Sequence, residues 1–322
     1  MSNPQVILHW YPSSPFCQKV IWALQYKKVD FKLVLISPIE PRPLRRPLDG
    51  GYRRTPVLQI GNHTYCDTKL IFDELEARFP EPSFYPVGPD GKTTKAQIKG
   101  LARWTDGPLF MSIVSQIPWE VVGEVFVQDR SKFIGNSINI EQAKLARPYM
   151  VQAVQSEIKL IDAFICEHHE DGKLWALGTQ TLSLLDLHFA MATWFSKNFV
   201  GDAWFNSTVP TLTAHLDKVL ATVHYADLDK IKTIEPKEAL KIAKEESWTL
   251  TNSIHDGSLN IELGQLVHVS PTDSGLMPAK GALVHSTECE TVIEHQEEEY
   301  NFTSYTHFPV IGFVVLPQTS KL

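Results

Sequence analysis

The residues most suited to chemistry lie at Ser13-Ser14-Pro15-Phe16-Cys17. There a short apolar run, VILHWYP at 6–12, gives way to a helical pattern, PFCQKVIWALQYKK at 15–28. A helix N-terminus offers unpaired N–H groups and about half a positive charge, which stabilises a thiolate or another anion placed there. The Ser14 hydroxyl is placed to donate a hydrogen bond to such an anion; it is equally suited to be a plain N-cap. Lowering a thiol pKa by about 2 units corresponds to about 2.7 kcal/mol. One hydrogen bond to a charged group contributes about 1.5–3 kcal/mol, so a single hydroxyl supplies the right order of magnitude. A second group, Thr55-Pro56-Val57, precedes a strand pattern. A cis bond at Pro56 would turn the Val57 backbone outward to pair with an extended peptide; a trans proline opening an edge strand is the alternative. A third pair, Asp67-Thr68, opens a helical pattern. A carboxylate and a hydroxyl at a helix start can hold an ammonium and a carboxylate, or can simply cap.

The elements that must position these groups follow in a readable order. DFKLVLI at 30–36 reads as a second strand, and PIEPRPLRRPLDGG carries too many prolines for helix or sheet. TPVLQIG and HTYC read as two strands joined at Gly61-Asn62, and DTKLIFDELEARF as a capped helix. The result is βαβ, an irregular segment, then ββα: one small α/β unit. A Pro/Gly linker occupies 81–91, and helical patterns run from about 93 to 247. In the long segment 140–170, Leu145, Tyr149, Val154, Ile158, Ile161 and Ile165 are expected on or near one face. Ser183 and Asp186 form a capping-box pattern before an apolar run. From 251 the texture turns to short alternating runs between Gly, Pro and Asp turns, a β-rich unit expected to pack separately as a small barrel or sandwich.

Bulk properties narrow the function. A chain of 322 residues with 43% hydrophobic and 21% charged residues supports packed cores in two or three domains. A net charge of −7 argues against a nucleic-acid binder. No apolar run reaches the roughly 18 residues of a membrane span. The start, MSNPQVILHW, reads as the lead-in to a strand rather than a secretory leader, so the four scattered cysteines, Cys17, Cys66, Cys166 and Cys289, are expected to be reduced thiols. No Cys/His spacing suits a metal. The closing Ser320-Lys321-Leu322 matches the peroxisomal import signal, which predicts a peroxisomal location and an import receptor as a partner.

Residues 6–80 resemble the N-terminal domain of cytosolic glutathione transferases. YPSSPFCQKVIWAL is similar to the SPF segment of the serine-type and omega-like classes, and RTPVLQIGNHTYCDTKLIFDELEARF to the segment with the cis-proline and the glutamyl-binding acid–hydroxyl pair. GTQTLSLLDLHFA is similar to the capping motif of the family's helical domain. The resemblance covers residues 1 to about 230. GGYRRTPVLQIG with YCDT also resembles a microbial subgroup with a β-rich tail, whose V-x-P-x-D-x-G and HFP-x-x-GF patterns fall here at Val269–Gly275 and His307–Phe313.

The resemblance implies a thioredoxin-like glutathione-binding domain at 1–86, an all-α domain at 93–247, the β-rich unit at 251–318 and an exposed tail at 319–322. It implies glutathione as co-substrate, no metal, and a thiol activated by Ser14, with Ser13 as the rival. Pro56 would be cis, Val57 would pair with the cysteinyl backbone, and Asp67 and Thr68 would hold the γ-glutamyl end. Arg53 or Arg54 would meet the glycyl carboxylate, while Arg42, Arg45 and Arg46 read mostly as a solvated basic loop. Relatives with a cysteine before the proline have Ser14 there in this chain, so Cys17, in the second position, carries a thiol-disulfide alternative and otherwise reads as a packed thiol. Trp104, Phe110, Met111, Trp119 and Phe126 either wall a pocket for an apolar electrophile or are core. Asp186 reads as a folding cap, Asp273 as a turn residue, and His188, His215 and His307 as core or surface groups. The expected activity is glutathione conjugation or peroxide reduction, without a metal, in a chain that can form a homodimer; a non-catalytic glutathione-binding or assembly protein is the other reading.

Overall fold

A computed structural model describes residues 4–168, 175–251 and 253–318. The first unit follows the predicted order: β1 (Val6–Trp10), α1 (Pro15–Tyr26), β2 (Phe31–Leu35), a short α2 (Arg46–Asp49), β3 (Val57–Ile60), β4 (His63–Cys66) and α3 (Thr68–Arg78). β1 pairs parallel with β2 and antiparallel with β3, and β3 pairs antiparallel with β4. The hairpin turns at Gly61, where φ is +56° and a Cβ would lie 2.3 Å from the Trp248 ring and 2.5 Å from the Glu246 carbonyl. Only glycine meets both the backbone sign and the space.

The helical region comprises α4 (Lys95–Trp104), α5 (Phe110–Val114), α6 (Glu124–Ile134), α7 (Ile140–His168), α8 (Leu184–Val200), α9 (Asp202–Thr208) and α10 (Pro210–Thr222). A π-helical turn, Thr105–Leu109, joins α4 to α5. α1 packs its apolar face on the nearly all-buried α8, so one core runs through both units. The capping box forms as predicted: Asp186 accepts from the Ser183 N–H and hydroxyl at 2.8 and 2.6 Å, and also from Ala176 N–H and His215. In α7, Val154, Ile158, Ile161 and Ile165 are buried, but Leu145 and Tyr149 are 73% and 79% exposed. Leu145 precedes Val154 by nine residues, two and a half turns at about 3.6 residues per turn, which puts it on the opposite face.

Two domain expectations are corrected. Residues 233–245 leave the helical region: β5 (Thr233–Ile234) adds parallel to β2, and α11 (Pro236–Glu245) buries Leu240, Ile242 and Ala243 against Ile7, Val34 and Leu48 of the first sheet. The helical domain therefore stops short of 247.

The β-rich unit, β6 (Leu266–Pro271), β7 (Ala279–Ser286), β8 (Glu290–Glu297), β9 (Phe302–Pro309) and β10 (Phe313–Pro317), does not pack separately. Among the described residues, all ten strands form one sheet in the order β10-β6-β7-β8-β9-β4-β3-β1-β2-β5. β9 pairs parallel with β4, Thr64 opposite Thr306. The tight turn from β9 to β10 combined with pairing of β10 to β6 curls these five strands toward a barrel. The physical reason for the fusion is the edge of β4, which without β9 would leave a row of buried N–H and C=O groups unpaired.

The seam carries further bonds. Asn62 clamps both sides, donating to the Trp248 and Thr303 carbonyls at 3.1 and 2.8 Å and accepting from Trp248 N–H at 2.9 Å. His63 stacks on Trp248 and shares a 2.8 Å hydrogen bond with His307, which bonds Glu290 at 2.7 Å. Tyr52, Val57 and Cys66 of the first unit share a core with Val267, Leu283, Ile293 and Phe308. His307 and His215 are thus core groups, as expected. The tail Ser320-Lys321-Leu322 lies outside the described residues.

A chain ending at residue 247 should therefore expose the β4 edge and the apolar face around Tyr52 and Val57. We expect it to bind a hydrophobic dye and to melt well below the full-length protein by calorimetry. Unchanged melting without dye binding would contradict the single-sheet fold.

Candidate functional site

The topology brings the three sequence-predicted groups to one end of the sheet. β1 ends where β3 begins, with His9 opposite Val57, and β4 ends there too, with Val57 opposite Cys66. Ser14, Pro56-Val57 and Asp67-Thr68 are the residues that continue from those strand ends.

Ser14 is the N-cap of α1, in an extended conformation and 3% exposed. Its Oγ accepts from Cys17 N–H at 3.2 Å, and Pro15 occupies N1, where a missing N–H costs nothing. The first turn of α1 holds no acidic residue, so no fixed charge opposes an anion there. Ser13 is exposed in the preceding turn. Cys17 is fully buried, and burial pushes its thiol up to about 11 despite the opposing hydrogen bond from Ser14. Cys66 is buried as well, its thiol pushed well up by burial and then by Asp49.

Thr55-Pro56 is a cis peptide bond, and Val57, the first residue of β3, is buried. Asp67 caps α3, accepting from Lys69 N–H at 3.0 Å and from Lys69 Nζ at 3.2 Å. Its φ of 70° is uncommon for a non-glycine residue. Thr68 is 5% exposed at the first helical position.

The arginines differ from expectation. Arg42 and Arg45 are buried, not solvated, and Arg53 is buried as well. Arg42 donates to the Ser37, Pro38 and Arg53 carbonyls, and Arg45 pairs with Asp49 at 2.6 Å and donates to Thr55 Oγ1 at 2.8 Å and to the Tyr52 carbonyl. A proline-rich irregular loop leaves carbonyls without ladder partners, and a five-donor guanidinium satisfies several at once. Arg46 pairs with Glu40 at 2.6 Å. Arg53 reaches across to Asp129 of α6 at 2.6 Å. Arg54 lies 3.9 Å from Asp67 and donates to Asp273 and to the Ser274 carbonyl. Arg54 is therefore tied both to Asp67 and to the β6–β7 connection, and Asp273 is more than a turn residue.

Of α6, sequence reasoning named Phe126 but missed Asp129, Arg130 and Phe133. Arg130 donates to the Pro38 carbonyl at 2.9 Å and stacks on Phe126, while Phe133 covers Arg53. The only sequence signal was an aromatic-charged alternation, FVQDRSKF, with no spacing that named a partner. Of the expected aromatic wall, Phe110 packs edge-on against Phe16 at 4.8 Å, Met111 is 58% exposed, Trp119 stacks on Phe126, and Trp104 donates to Glu157. Behind α1, the fully buried Lys19 ammonium bonds Asp106 at 2.6 and 2.8 Å and sits 3.2 Å from His188, tying the two units together. Among the described residues no group of His, Cys, Asp or Glu is arranged to hold a metal ion.

The family pattern for the glutathione S-transferase N-terminal domain matches residues 8–83, and a pattern for a domain of unknown function matches 113–215. No curated protein matches. Among solved structures, a glutathione S-transferase-like protein from Pseudomonas syringae is 27% identical, with 99% of this chain and 100% of that one covered at a TM-score of 0.67. A glutathione S-transferase from Methylobacterium radiotolerans, in complex with glutathione sulfonate, is 19% identical, covering 78% of this chain and 100% of that one at 0.51. One from Methylobacillus flagellatus, with glutathione bound, is 17% identical over 71% of this chain and 100% of that one at 0.51. The fold is that of the glutathione transferases: a thioredoxin-like domain, a helical region, and a β-rich extension of the sheet.

The cysteines give a direct check of burial. Cys166 and Cys289 are exposed while Cys17 and Cys66 are buried. A chromogenic thiol reagent at neutral pH should titrate two thiols rapidly and the other two only after denaturation; rapid reaction of Cys17, identified by mass spectrometry, would contradict its environment.

Proposed function

We propose that this glutathione-transferase-like chain, with its glutathione S-transferase N-terminal domain at 8–83, binds glutathione and activates its thiol through Ser14 for conjugation to apolar electrophiles or reduction of peroxides. The observation that carries the reading is the convergence of the Ser14 cap, the Pro56-Val57 strand start and the Asp67-Thr68 cap at one end of the sheet. Two structures of the same fold hold glutathione or its sulfonate, which supports the same ligand class here.

The chemistry follows from the groups present. The glutathione thiol loses its proton to solvent, and the thiolate is held by the Ser14 O–H and the start of α1. Beside the Phe16–Phe110 pair, the thiolate then attacks an electrophilic carbon and displaces its leaving group, or attacks a peroxide oxygen, breaking the O–O bond to release the alcohol and leave a glutathione sulfenic acid that a second glutathione converts to the disulfide and water. Asp67 holds the ammonium of the γ-glutamyl group, and Thr68 its carboxylate. The thiol-disulfide alternative through Cys17 is disfavoured by its burial and raised pKa. A non-catalytic binding protein is distinguished by turnover alone.

Ser14→Ala should lower kcat/KM by roughly 10–100-fold and raise the pH at which bound glutathione ionises, with little change in glutathione Kd, since the hydroxyl favours only the thiolate. Asp67→Ala should weaken glutathione by about 1.5–3 kcal/mol in calorimetry. Wild-type turnover in Ser14→Ala would defeat the assignment.

The closing Ser320-Lys321-Leu322 adds the proposal of a peroxisomal location. An N-terminal fluorescent fusion expressed in a eukaryotic cell should be punctate and turn cytosolic on deletion of Leu322; diffuse signal from both fusions would refute it.

A further inference from the structure

The loop between β6 and β7, residues 272–278, is seated inside the candidate site although it belongs to the β-rich extension. Arg54 donates to the Ser274 carbonyl from Nε at 3.0 Å and from Nη2 at 2.6 Å, and also bonds the Asp273 carboxylate. Its other terminal nitrogen lies 3.9 Å from Asp67. Gly275 locks the loop in place. Its N–H donates to the Phe133 carbonyl of α6 at 2.6 Å, its φ is +64°, and a Cβ there would lie 2.7 Å from the Phe133 ring and 3.2 Å from Arg54. The loop is thus wedged between the first sheet and the helical region, while the Asp273 side chain stays 72% exposed. The Tyr52 hydroxyl, in the core shared by the first sheet and the β-rich extension, is buried with no hydrogen-bond partner among the described residues.

We propose that Asp273 is a specificity-determining residue of the glutathione site: with Asp67 it brackets Arg54, so that the pocket selects a γ-glutamyl thiol whose α-amino group is free. The inference rests on the glutathione reading above. The four charged groups in contact are balanced, Arg54 and Lys69 against Asp67 and Asp273. A zwitterionic ligand end, one ammonium and one carboxylate, preserves that balance. A ligand with its amine acylated brings only a carboxylate, next to two fixed carboxylates and a guanidinium already bonded to one of them, and the site repels it.

The test is calorimetric titration of the full-length protein with glutathione and with N-acetylglutathione. Wild type should prefer glutathione. Asp273→Asn should weaken glutathione on the order of tenfold, the scale of one charged hydrogen bond, while N-acetylglutathione, relieved of one carboxylate, binds no worse or more tightly, so that the preference collapses. Asp273→Glu should restore much of it. Because Asp273 is exposed, the Asn variant should melt as wild type does. If wild type binds neither ligand, the glutathione reading falls and this inference with it. If wild type binds glutathione and Asp273→Asn keeps the same preference, or loses both ligands equally, the inference alone is overturned.

Discussion

The structure depends on the pairing of β9 with β4. A four-residue strand, buried along its whole length, sits where the first sheet would otherwise end, and its unpaired edge needs partners. Tyr305, Thr306 and His307 supply them in parallel register. Once that pairing is made, the chain leaving α11 must pass over the β3–β4 turn. This explains why Gly61 admits no side chain and why Asn62 bonds both incoming segments. It also fixes where the rest of the β-rich unit can lie. The β6–β7 loop is delivered to Arg54 at the end of the sheet from which Ser14, Pro56 and Asp67 emerge.

Charge inside the first unit is organised around that end. The irregular segment between β2 and β3 has no ladder to satisfy its carbonyls, and buried guanidinium groups do so instead. Arg53 and Arg54 extend the same device outward, one to Asp129 of the helical region and one to Asp273 of the β-rich extension. Three parts of the chain therefore meet through adjacent arginines. Ser14 and Cys17 show how burial sorts chemistry along one helix turn. The hydroxyl functions neutral and tolerates burial, whereas a thiol must ionise to react, and a fully buried site holds it protonated.

Much of the site was legible because its signals are local. Ser14 before Pro15, Asp67 before Thr68, and Ser183 with Asp186 are caps, and caps are written in the few residues that make them. The strand-helix order of the first 80 residues follows from periodicity for the same reason. The reading of Arg42 and Arg45 as part of a solvated loop was mistaken because a basic sequence does not reveal which carbonyls will surround it.

The sequence by itself determined the caps and the strand and helix patterns, since each depends on backbone preferences within a few residues; the cis bond at Pro56 was implied only by the family resemblance. Tertiary structure decided what those segments touch: that β9 closes β4, that residues 233–245 return to the first sheet, that Leu145 faces away from Val154, and that Asp273 reaches Arg54 across 219 positions of chain. Periodicity assigns a strand its faces but not its neighbour, because the edge hydrogen bonds belong to a backbone that every sequence shares. Which edge is filled, and which loop is thereby brought to the site, is settled only when the whole apolar surface is buried together.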